Sequence, residues 1–167
     1  MALSIYYSGV LKGINRLPEL VAEVTDICHD LHWNCEIIEE EAPTQLRGLG
    51  FSAPGGEPIW LTFDPNGVLE SPYFVFLEKS PGPSCSTSVT ASLETVVQYA
   101  GPETQMRLVN LLHYISLKYF ATFDLVDESE FWETGSEERC RDWFAMFEVW
   151  AGDQLATVNN QFAKPIG

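Results

Sequence analysis

Four groups of side chains in this sequence have the type and spacing to do chemistry. Cys28, His29, His32 and Cys35 fall close together. Cys28 and His32 are one helical turn apart, so a thiolate and an imidazole could face one zinc ion. A closed site would need a fourth ligand, which only Cys85, Cys140 or His113 could supply. Cys28 also lies on an apolar helical stripe, where a thiol serves as a small hydrophobe, so we assign no metal and no cofactor. The second group is acidic: Asp124, Asp127, Glu128, Glu130 and Glu133, followed by Glu137 and Glu138. Asp127, Glu128 and Glu130 stand where a strand gives way to a loop, a common place for functional carboxylates. Paired carboxylates can exchange protons or hold Mg²⁺ or Ca²⁺, although the spacing matches no EF-hand loop. The plainer reading is a solvated loop whose charges complement the macrodipole of the following helix.

The third group is aromatic. Trp33, Trp60, Phe131 and Trp132 lie off the obvious core stripes, and Trp132 stands among acids. Tryptophan beside carboxylates suits a cationic partner; the plainer reading is a core anchor whose N–H finds an acceptor. The fourth is nucleophilic, Cys85 or Cys140 with His113, a pairing that chance supplies easily among four cysteines and three histidines. The sequence contains no G-x-S-x-G, P-loop, G-x-G-x-x-G or H-E-x-x-H pattern.

Composition narrows the class of partner. The chain has 167 residues and a net charge of −15, from 24 carboxylates against 9 basic side chains. Such a field repels nucleic-acid backbones and anionic membrane surfaces and favours cationic partners. With 46% hydrophobic residues the chain can bury a core as one domain over residues 1–167. The cysteines form no C-x-x-C pair, and the N-terminus has neither a basic region nor a long apolar run. A cytoplasmic location is the expectation.

The elements that must position these groups follow from periodicity. Leu3, Ile5 and Tyr7 alternate with polar neighbours, which predicts a strand over residues 2–10. Leu17, Val21, Val24, Cys28 and Leu31 mark one face of a helix with Pro18 in its first turn. A strand over 35–38 and a meander between 46 and 78 follow. Its clearest turn is Asp64-Pro65-Asn66-Gly67, since Asn-Gly supplies positive φ. Residues 73–77 extend the meander, and one or two strands are expected within 85–100. Gly101-Pro102-Glu103 opens a helix, apolar almost all round, whose stripe is Leu108, Val109, Leu112, Ile115 and Tyr119. Residues 122–126 alternate as a short strand. Thr134 and Glu137 have capping-box spacing, and Cys140, Trp143, Phe144, Phe147 and Trp150 recur at helical spacing beyond them.

Three stretches carry a family resemblance: Phe63-Asp64-Pro65-Asn66-Gly67-Val68-Leu69, Val97-Gln98-Tyr99-Ala100-Gly101-Pro102-Glu103-Thr104, and residues 119–136, from Tyr119 through Asp127 to Ser136. They resemble a bacterial family of conserved proteins without an assigned activity. The resemblance implies a bacterial cytosolic domain and carries no catalytic role to any residue here.

The expected fold is α+β, a two-layer sandwich ordered β-α-β-β-β-β-(β)-α-β-α, its sheet mostly antiparallel with helices packed on one face. The expected function is a non-enzymatic module that binds a basic protein or a small ligand through Asp127, Glu128, Glu130, Trp132 and Glu133. The alternative is a divalent-metal-dependent hydrolase or transferase using the carboxylates at Asp127, Glu128 and Glu130.

Overall fold

Leu3, Ile5, Tyr7 and Leu11 turn inward from the first strand and are buried, as the alternation predicts. The computed structural model describes residues 2–41, 45–72 and 92–162. Along the chain it contains β1 (Ser4–Leu11), a 3-10 turn (Ile14–Arg16), α1 (Leu17–Leu31), β2 (Asn34–Glu39), β3 (Arg47–Ser52), β4 (Ile59–Phe63), β5 (Leu93–Val96), α2 (Pro102–Tyr119), β6 (Phe120–Asp127), α3 (Phe131–Thr134) and α4 (Glu137–Phe162). The fold is α+β. Its described strands form two three-stranded antiparallel sheets, ordered β5-β1-β6 and β2-β3-β4. The strands expected at 73–77 and before residue 92 lie outside the described residues.

The two sheets are stitched where β1 and β5 meet β4. The buried Tyr7 hydroxyl donates to the Trp60 carbonyl at 3.2 Å and accepts the Trp60 N–H at 2.8 Å. Burial pushes that phenol up to about 12. Thr95 Oγ1 donates to the Pro58 carbonyl, and the Glu57 N–H to the Val96 carbonyl. The 64–67 turn forms as its residues dictate. Asp64 Oδ1 accepts the N–H groups of Asn66 and Val68, and Gly67 takes φ +80°. Beyond it the returning chain makes isolated bridges, Phe63 to Leu69 and Val10 to Val68.

Leu17, Leu20, Val24 and Cys28 form the buried face of α1. The helix ends where His32 adopts the left-handed conformation and the Trp33 N–H reaches the Cys28 carbonyl at 2.8 Å. That reversal carries Trp33 into the core, where its ring stacks on Phe51. The expected stripe of α2 is buried throughout, but Tyr114 and Leu117 are exposed, so this helix is not apolar all round in its surroundings. Its buried face meets β6 and α4. Helices α1 and α2 are tied through one carboxylate: Glu23 accepts from Lys118 Nζ at 2.8 Å, from the Tyr114 hydroxyl at 2.5 Å and from the Tyr119 hydroxyl.

Candidate functional site

Strand β6 ends at Asp127, opposite Ile5 of β1, and the chain then doubles back. Glu130 takes the left-handed conformation that opens α3. The Asp127 carboxylate drives this turn. Its Oδ1 accepts the Ser129 N–H (2.9 Å), the Ser129 hydroxyl (2.8 Å) and Gln105 Nε2 (3.0 Å). Its Oδ2 accepts that hydroxyl and the N–H groups of Phe131 and Trp132, both at 3.1 Å. A carboxylate thus satisfies the first N–H groups of α3, the role of a helix cap played from four residues upstream. Asp127 is 3% exposed. The expectation of Asp127 as a surface contact is corrected by this burial.

The other acids of the loop are held by different groups. Glu128 Oε2 accepts the Ser4 N–H at 2.7 Å, closing the loop onto β1. Glu133 Oε1 accepts the Asp127 N–H at 3.1 Å, so Asp127 and Glu133 bind each other's neighbourhoods reciprocally. Glu130 pairs with Arg139 at 2.8 Å, on the surface. Trp132 is half-buried, its ring against His113 (5.3 Å between centroids) and Phe123 (5.9 Å). The structure therefore places Glu128, Glu130, Trp132 and Glu133 around the buried Asp127, each with its own protein partner.

The cap of α4 comes from Ser136, whose Oγ accepts the Arg139 N–H at 3.3 Å. Thr134, the residue expected to cap, donates its hydroxyl to the Glu130 carbonyl instead. Cys140 is buried and its thiol is pushed up by that burial, the Ser129 hydrogen bond opposing. Such a thiol is a poor nucleophile, and His113 is an exposed residue whose ring packs edge-on against Trp132. In the cysteine–histidine window the two thiols, Cys28 and Cys35, are neighbours. Cys28 is buried and pushed up to about 12, mainly by desolvation, while Cys35 and His32 are exposed. Among the described residues no three His, Cys, Asp or Glu side chains gather in a way that could hold a metal ion.

Periodicity alone missed the outer face of α4. Cys140, Phe144 and Phe147 are buried against the body. Successive residues turn by about 100°, so Arg139, Asp142, Trp143, Met146, Val149, Trp150 and Asp153 lie along an adjoining face. On it Met146 is 50% exposed and Val149 67%. Glu130, Arg139, Asp142, Trp143 and Met146 enclose a shallow hollow of about 340 Å³. The seven-residue interval between Trp143 and Trp150, with acids on either side, was the available signal. It marks two apolar faces where one core stripe was read.

Fold and site together define an antiparallel α+β domain with an acidic turn locked by a buried aspartate and a half-clothed C-terminal helix. No helix of the described residues is long and apolar enough to cross a membrane. No family model, curated protein or solved structure matches the chain.

Proposed function

We propose that this chain is a non-enzymatic binding module that takes a basic protein partner on the surface shared by Glu130, Glu133 and Trp132 and the outer face of α4. The observation that carries this reading is the exposed stripe of Met146, Val149 and Trp150 running from the Glu130–Asp142 hollow. Methionine and aromatic side chains are enriched where proteins meet, and a polar rim around them sets the partner's charge. A net charge of −15 selects a cationic partner and speeds its encounter at low salt. The hydrolase or transferase reading has less support, because the carboxylates at 127, 128, 130 and 133 are drawn to separate donors and do not converge.

The test is a crosslinking amino acid placed at position 146, with a second at exposed position 37 as the control face. A partner captured from 146 alone is then purified and titrated against the wild type. Trp150→Ala is expected to weaken that complex by about 2 kcal/mol, and added salt to slow its association. Equal capture from both faces, or unchanged affinity in Trp150→Ala, would refute the assignment.

A further inference from the structure

A second site lies at the junction of the two sheets, away from α4. Here a cavity of about 620 Å³ is bounded by Tyr6 of β1, Leu93 and Glu94 of β5, and Glu57, Pro58 and Trp60 at the start of β4. The volume is that of a small-molecule pocket. It is aromatic and doubly acidic, and, unlike the Glu130–Asp142 hollow, it has no basic side chain among its described lining residues.

Each carboxylate is fixed by one oxygen and leaves the other uncommitted. Glu94 Oε1 accepts the Tyr6 hydroxyl (3.2 Å) and the Ser4 hydroxyl (3.0 Å). Glu57 Oε2 accepts the Val96 N–H at 3.2 Å. Among the described residues, neither Glu94 Oε2 nor Glu57 Oε1 meets a protein donor, and neither side chain has a cationic partner. The anchoring points, Glu94 and Val96, are two residues apart on β5, roughly 7 Å of strand.

The aromatic walls are fixed as well. Trp60 is the cross-strand neighbour of Gly50, and its ring lies across that glycine. A Cβ at position 50 would come within 2.4 Å of the indole. The absent side chain is what lets the ring settle on β3. Tyr6 and Glu94 are directly opposed across β1 and β5, held by the hydroxyl–carboxylate bond.

We infer that this cavity binds an organic cation, an alkylammonium or guanidinium group, with Trp60 and Tyr6 contributing ring faces and Glu57 and Glu94 contributing charge-assisted hydrogen bonds. Rings and carboxylates are the complementary surroundings of such a cation. A bare metal ion would require a tighter oxygen cluster than the described residues offer.

Calorimetric titration with two probes tests this: agmatine, a free dication, and N-acetyl-arginine methylamide, which presents the guanidinium as a polypeptide would. Agmatine is expected to bind saturably. Glu57→Gln combined with Glu94→Gln keeps oxygen acceptors but removes both charges, and should weaken agmatine binding roughly tenfold or more. Trp60→Leu should weaken it roughly fivefold. Comparable binding of the arginine amide assigns the natural cation to a polypeptide side chain, and weaker binding assigns it to a free amine. Trp150→Ala should leave both titrations unchanged, which separates this site from the α4 surface. Circular dichroism confirms that each variant is folded. No saturable heat from either probe, or equal binding by the doubly neutralised variant, would overturn the inference.

Discussion

A single carboxylate at position 127 holds five donor groups from four residues, Gln105, Ser129, Phe131 and Trp132. Truncating it leaves those donors buried without an acceptor, and each unsatisfied donor carries a desolvation penalty. Asp127→Ala should therefore destabilise the fold by about 3–4 kcal/mol in urea unfolding. Exposed acids of the same loop, such as Glu133 and Glu130, should cost far less when replaced. A loss below about 1 kcal/mol for Asp127→Ala would mean that the turn is held by other contacts. None of this was readable in the sequence, where Asp127 is one acid among seven. Its capture depends on Gln105, 22 positions earlier, and on a left-handed Glu130. Trp33 shows a related effect: it leaves the helical period at the His32 reversal, so no stripe pointed to it, although the core-anchor reading of the tryptophans holds there.

Elements were far more legible. The faces of α1 and α2 follow a 3.6-residue period that the apolar residues repeat for several turns, and the 64–67 turn is specified by its own residues. Faces that bury against something and faces that stay open, by contrast, look alike in sequence, which is why α2 read as apolar almost all round although Tyr114 is exposed, and why Trp150 on α4 was grouped with the buried Cys140, Phe144 and Phe147. The tie between α1 and α2 is a testable consequence of packing. Hydrogen bonds from Lys118, then Tyr114 and Tyr119, lower the Glu23 carboxyl from 4.5 to about 2. A carboxyl depressed in the folded state stabilises the fold fully above its unfolded value and loses that contribution as pH falls through its folded one. The Glu23 contribution should thus be present above pH 4.5 and vanish between pH 4.5 and 2. Because the side chain is partly exposed, its worth is about 1–2 kcal/mol. Stability measured against pH should fall less steeply over that interval in Glu23→Gln; parallel curves would show that the three donors do not discriminate the charged form.

At the scale of the molecule, Tyr7 is one of the buried joints between the two sheets. Tyr7→Phe removes one oxygen that serves both the N–H and the carbonyl of Trp60. A loss of about 2 kcal/mol is expected, with faster amide exchange at Trp60. Unaltered exchange there would place the joint elsewhere. The arrangement of the strands has one more consequence, for how the chain is made. The sheet β2-β3-β4 is contiguous, and each strand pairs with the one just synthesised. The other sheet is built around β1, which precedes every other described strand, yet both of its neighbours lie far downstream. At ordinary translation speeds β1 waits on the order of ten seconds, first with both edges open and then, once β5 has arrived, with one, before β6 closes the other.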